Sequence, residues 1–218
     1  PWHGTTLYVA ELDNSGPLPV AGTPRAIAGG DNIAIFQPEF SADNSQLFFV
    51  SDETGWGRLA SHELATGSTN WLTPDGIELG TPAWAQDMRT YAVCGDGQSI
   101  AAVTSKNGFL SVVRIDLASG DQSIIEPLAE LTDVSRIVAA SVGTRIAAIG
   151  SSATQTPRIL SCDLADGTTR IVARSSSETL SAGGLSEPEA ISWASAAGET
   201  AHGLFYPPAS ESFEGTGL

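Results

Sequence analysis

LASHELATG (59–67), VVRIDLASG (112–120), ILSCDLADG (159–167) and LYVAELDNSG (7–16) are one pattern written four times. Each copy has an apolar residue, Leu five positions on, and a polar turn ending in Gly. The landmark leucines Leu12, Leu64, Leu117 and Leu164 are 52, 53 and 47 residues apart. Gly ends the turn where a positive φ is needed, because it alone has no Cβ to clash. A second apolar run follows each copy (PRAIAG, NWLTP, SIIEP and RIVAR), so each copy predicts a β-hairpin.

Upstream of three of these hairpins lies another strand: QLFFVSD (46–52), SIAAVTS (99–105) and RIAAIGS (145–151). Their first apolar positions, Leu47, Ile100 and Ile146, are 53 and 46 apart, nearly the spacing of the leucines. A rival phase aligns PEF (38–40) with PAW (82–84), 44 apart, but throws the downstream strands out of step. One more strand precedes each (AIFQPEF, RTYAVC and RIVAAS), joined by the turns SADNS, GDGQ and VGT. Four short strands per ~50 residues without helical periodicity describe the blade of a β-propeller. A β-sandwich has short strands too, but no reason to repeat one hairpin at a fixed period.

The expected fold is therefore all-β, a partial β-propeller of four-stranded antiparallel blades. It comprises a half blade at 5–28 and blades near 32–74, 80–127 and 132–174, about three and a half in all. Residues 1–180 form this propeller part and 181–218 a junction carrying one more hairpin. Propellers close with roughly four to eight blades, so further blades are expected upstream of residue 1.

Composition narrows the partners. Ten basic residues against 25 acidic ones give a net charge of −15, a field that repels nucleic acid and anionic membrane surfaces. Only 16% of the residues are charged and 41% are hydrophobic, which suits surfaces covered by another domain but also small, Ala-rich strands. Cys94 and Cys162 sit in apolar runs without a CxxC pattern, and read as buried free thiols rather than a disulfide. That favours a reducing compartment and a cytoplasmic location. No apolar run nears the ~20 residues needed to span a bilayer.

Candidate chemistry is sparse. His3, His62 and His202 are scattered, and Zn²⁺ would want clustered His or Cys. Carboxylates in the Gly turns DNSG (13–16) and GDGQ (95–98) faintly suggest calcium, but ordinary turn chemistry accounts for them. No cofactor is expected. The one polar–aromatic cluster is Asp52, Glu53, Trp56 and Arg58, a candidate for a substrate channel or a domain interface. The plainer reading is a loop whose Trp packs between blades while its charges face water. Trp71, Trp84 and Trp193 read as packing residues.

SDETGWGRLASHELATG (51–67) resembles a blade segment of the acylaminoacyl-peptidase branch of the prolyl oligopeptidase family. TPAWAQDMRTYAVCGDGQSIAAVTSKNG (81–108) is similar to the next blade, and LSEPEAISWASAAGETAHGLFYPP (185–208) to the junction with the α/β-hydrolase domain. The resemblance implies a propeller that caps a Ser-His-Asp hydrolase and admits only short peptides, cleaved near the N-terminus. In that family an HGGP-type stretch and a G-x-S-x-G elbow follow the junction. Neither occurs here: GDGQS (95–99) and AGGLS (182–186) both depart from the elbow pattern. The chain is thus expected to be inactive alone, a substrate-gating part of a serine peptidase. The implied partners are the α/β-hydrolase domain of the same parent chain and short peptides, with homo-oligomers possible. The alternative is a stand-alone propeller that binds a peptide or protein. A propeller enzyme such as a polysaccharide lyase would need His, Arg or metal ligands gathered at a channel mouth, and no such gathering is legible.

Overall fold

The computed structural model describes residues 3–81, 89–177 and 181–213, so Trp84 lies outside the described residues. The chain divides into two compact units, Pro1–Met88 and Arg89–Leu218. Among the described residues every regular element is a strand except two short 3-10 turns, and no helix is long and apolar enough to cross a membrane.

In the first unit β1 (Thr5–Val9) pairs with β4 (Arg25–Gly30), and the short β2 (Leu12–Asp13) and β3 (Val20–Ala21) pair with each other. A four-stranded antiparallel meander follows: β5 (Ile35–Phe40), β6 (Gln46–Ser51), β7 (Arg58–Glu63) and β8 (Thr69–Trp71). The second unit holds two more meanders of the same order. They are β9 (Tyr91–Val93), β10 (Ser99–Lys106), β11 (Phe109–Asp116) and β12 (Gln122–Ile124), then β13 (Asp133–Ala139), β14 (Arg145–Ser152), β15 (Gln155–Asp163) and β16 (Thr169–Arg174). A two-stranded ribbon, β17 (Glu189–Ala194) and β18 (Thr200–Phe205), ends the regular structure. These sheets are the blades of a partial β-propeller.

The repeated motif has a repeated cause. The N–H groups of Gly67, Gly120 and Gly167 donate to the carbonyls of Glu63, Asp116 and Asp163, each at 2.8 Å, with φ of 75°, 77° and 74°. The landmark leucines tie this turn to the one before it. Leu64, Leu117 and Leu164 donate to the carbonyls of Ser45, Gln98 and Thr144 at 3.0, 2.9 and 3.2 Å. The earlier turn has its own left-handed residue, Asn44, Gly97 or Gly143. The spacing of the leucines is therefore the spacing of a hydrogen-bonded joint. The fourth copy departs from the pattern: Gly16 has no positive φ, and the strands close instead through Leu12↔Ala21 and Asp13↔Val20. Pro17 follows Gly16, and a proline disfavours the helical region for the residue before it.

Central strands are buried on both faces, so they read as continuous apolar runs rather than alternating ones. Leu47, Phe48, Phe49 and Val50 of β6 are all buried, as are Ile100, Ala101, Ala102 and Val103 of β10. In the second unit β13 lies against β9, β10 and β11, joining the two blades around a core that includes Val112, Ile125, Leu128, Leu131, Ile137 and Ile146. Full burial of each large aliphatic side chain contributes about 1.5–3 kcal/mol. Gly95 bridges Gly143 across this junction, and a Cβ on Gly95 would collide with the backbone of Ser141 and Val142.

Candidate functional site

Of the four residues singled out in the sequence, Asp52, Glu53 and Trp56 lie in the loop between β6 and β7, and Arg58 opens β7. Asp52 clamps its own turn: its carboxylate accepts from the Ala34 N–H at 2.7 Å and its carbonyl from the Gly55 N–H at 2.8 Å. Glu53 is exposed, its N–H donating to Ser51 Oγ at 3.3 Å. Trp56 is 43% exposed. Arg58 is buried. Its Nε and Nη2 donate to the Thr73 carbonyl at 2.7 and 2.5 Å, Nη1 meets Asp75 at 2.6 Å, and the guanidinium lies 4.7 Å from the Trp71 ring centroid. Gly57 beside it is held by Glu78, whose carboxylate accepts the Gly57 N–H at 3.0 Å. Arg58 thus fastens residues 73–75 to β7, while Trp56 and Glu53 face solvent.

His62 and His202 lie on separate strands. His62 is buried on β7, its Nδ1 2.8 Å from Thr69 Oγ1 and its Nε2 without a partner. Burial holds its pKa below the usual 6.5, the charge of Arg25 adds to this, and Glu63 opposes it. His202 is exposed on β18, opposite Ser192. Cys94 and Cys162 are buried free thiols in one core, and burial raises the pKa of Cys94.

The turn carboxylates are occupied as caps. Asp13 accepts the Ser15 N–H at 2.9 Å. Asp96 accepts the Gln98 and Ser99 N–H groups at 2.9 and 3.1 Å and the Ser99 hydroxyl at 2.9 Å. Asp43 accepts the Ser41 hydroxyl at 2.6 Å and the Ser45 N–H at 3.1 Å, which lowers its pKa to about 2.

A cavity that sequence reading missed lies at the β14–β15 end of the β13–β16 blade. With a volume of about 790 Å³, it opens beside the β14–β15 turn, lined by Ser151 through Arg158, by Arg174, Ser176 and Ser177, and by Leu185. Arg158 and Arg174 stand directly opposite each other on β15 and β16. A smaller recess shares Ser152 through Gln155 and carries Glu130, whose carboxylate accepts from Gln155 Nε2 at 2.7 Å. Another, lined by Gly108, Phe109 and Thr132, reaches Leu204 and Tyr206 at the end of the ribbon. The sequence signal for the arginine pair was only the two basic residues closing TPR (156–158) and RIVAR (170–174).

Comparison with protein-family models finds no match, nor does comparison with curated proteins. Solved structures do match. A puromycin-hydrolysing peptidase of Mycobacterium tuberculosis superposes with a TM-score of 0.83 at 24% identity, covering 96% of this chain and 30% of that one. A puromycin hydrolase gives 0.82 at 26% identity, covering 98% of this chain and 31% of that one. A mutant of a puromycin hydrolase complexed with PGG gives 0.82 at 25% identity with the same coverage. The chain thus spans about 30% of the length of these enzymes. It is a partial β-propeller that, over nearly its whole length, resembles the propeller part of puromycin-hydrolysing peptidases of the prolyl oligopeptidase family.

Proposed function

We propose that the chain is the substrate-gating propeller portion of a serine peptidase in the acylaminoacyl-peptidase branch, carrying no catalytic group of its own. The observation that carries this reading is the match of 98% of the chain to 31% of a puromycin hydrolase, within a part built of blades. The sequence agrees, holding no G-x-S-x-G elbow. In the parent, a Ser-His-Asp hydrolase domain cleaves short peptides near the N-terminus, and the blades exclude larger ones. The cytoplasm, where Cys94 and Cys162 stay reduced, is the proposed location.

Assays of the purified chain on aminoacyl and acyl-aminoacyl p-nitroanilides test the first half of the reading. No turnover is expected, and turnover abolished by a serine-directed inhibitor would refute it. The reading frame tests the second half: a downstream G-x-S-x-G supports it, and a stop codon directly after Leu218 favours a stand-alone binding propeller.

A further inference from the structure

We propose that the cavity beside the β14–β15 turn is a receptor for a carboxylate, gripped between Arg158 and Arg174. The assignment is independent of any peptidase role. It starts from strand register. Between Cys162↔Thr169 and Leu160↔Ile171 the β15–β16 ladder is regular, and continuing it would set Ala173 opposite Arg158. A bulge between Ile159 and Leu160 advances β16 by one residue and brings Arg174 there instead. Bulges re-aim side chains in this way, and they concentrate near functional sites. A second irregularity, between Gly150 and Ser152, shapes the adjoining wall.

Side chains directly opposite on antiparallel strands have Cβ atoms about 4.5–5.5 Å apart, and like charges so placed repel. An anion between them turns that repulsion into attraction. The chain holds 25 carboxylates against ten basic residues, yet neither arginine makes an ion pair with a described residue. Arg58 and Arg145, by contrast, are paired with Asp75 and Asp163. Arg158 is half-buried and its Nε donates to the Thr156 carbonyl at 3.1 Å, which steadies the guanidinium and leaves both terminal nitrogens without a hydrogen-bond partner among the described residues.

Two such forks suit the planar oxygens of a carboxylate, which guanidinium binds bidentately. The hydroxyls of Ser152, Thr154 and Ser177 supply further polar lining, and Pro157 and Leu185 an apolar wall. A volume of about 790 Å³ accommodates a short peptide or small acid. The net charge of −15 disfavours a polyphosphate and tolerates a single carboxylate.

Calorimetric titration of the 218-residue chain at low salt tests this with three blocked peptides. They are N-acetyl-Ala-Ala-Ala as the free acid, its C-terminal amide, and N-acetyl-Ala-Glu-Ala amide. The free acid is expected to bind saturably, one molecule per chain, and the Ala-Ala-Ala amide not to bind. Arg158→Gln and Arg174→Gln should each weaken binding about tenfold or more. Arg170→Gln, on the exposed arginine opposite Ser161, should leave it unchanged. Binding of the Glu-containing amide supports a receptor for any carboxylate, and its failure beside a binding free acid supports one for a chain terminus. Equal binding of acid and amide, insensitivity to both variants, or no saturation by about 10 mM overturns the proposal. Arg174→Gln should also melt no lower than the parent without ligand, since it relieves repulsion. A clear fall in its Tm would mean that the fold itself uses Arg174, and overturns the proposal too.

Discussion

Replacing Arg58 separates its packing role from a surface role. Its side chain is only 10% exposed and donates twice to the Thr73 carbonyl. Hydrogen bonds from a charged donor contribute about 1.5–3 kcal/mol each, and two that share one acceptor contribute about 2 kcal/mol together. The cation–π contact with Trp71 at 4.7 Å adds about 1 kcal/mol in a partly desolvated site. Asp75 is 71% exposed, so its ion pair contributes about 0–1 kcal/mol. Arg58→Ala should therefore cost about 3–4 kcal/mol, and Asp75→Asn under about 1 kcal/mol. Arg58→Lys should fall between, because an ammonium keeps the charge and loses the fork. Urea unfolding followed by far-UV circular dichroism reads these differences as midpoint shifts at constant slope. If Arg58→Ala shifts the midpoint no more than Asp75→Asn does, the assigned hydrogen bonds are not what holds residues 73–75 to β7.

Other predictions follow from single residues. His62 has a folded-state pKa below 6.5, so its contribution is complete above pH 6.5 and is lost as pH falls below it towards the folded value. Tm should decline across that interval, and His62→Leu should flatten the decline there. Asp43, lowered to about 2, acts in a separate window: stability drops as pH falls from its usual 3.8 to about 2, and Asp43→Ala should remove part of that drop in a pH-resolved melt. Gly95→Ala should cost more than Gly97→Ala in thermal melts. The first forces the Ser141–Val142 backbone apart, a cost of about 1–3 kcal/mol, while the second meets open space and loses about 1 kcal/mol to its left-handed φ of 64°.

The strands were legible because their burial is two-sided and their turns repeat. QLFFVSD and SIAAVTS could not alternate, and each Gly that ends a repeated turn has a bond that demands it. The fourth copy was legible as a hairpin, since its strand pairs with the PRAIAG run as β1 with β4, but not in its turn, where Gly16 keeps the letter of the pattern without the positive φ. In the 52–58 cluster the sequence does not say which side chain turns inward. Closeness in sequence suggested a common surface, but Arg58 reaches an acceptor fifteen residues away, which no local pattern encodes. The arginine pair was invisible because one bulge decides whether Arg158 faces Arg174 or Ala173.

In a meander the turns between the first two strands and the last two strands share one end of the sheet, and the middle turn occupies the other. The Leu64, Leu117 and Leu164 bonds lock the shared end, while the middle turn has six residues in one blade (52–57) and two in the others (107–108 and 153–154). The shared end therefore carries one bond common to all three blades, and the middle turns do not share one. Lengthening Ala153–Thr154 would graft a new loop onto the wall of the arginine cavity without disturbing the joint. A single residue inserted at Ala65–Thr66 would uncouple one hairpin from the other. New contacts can be added at the first place while the hydrogen-bonded joint is kept at the second.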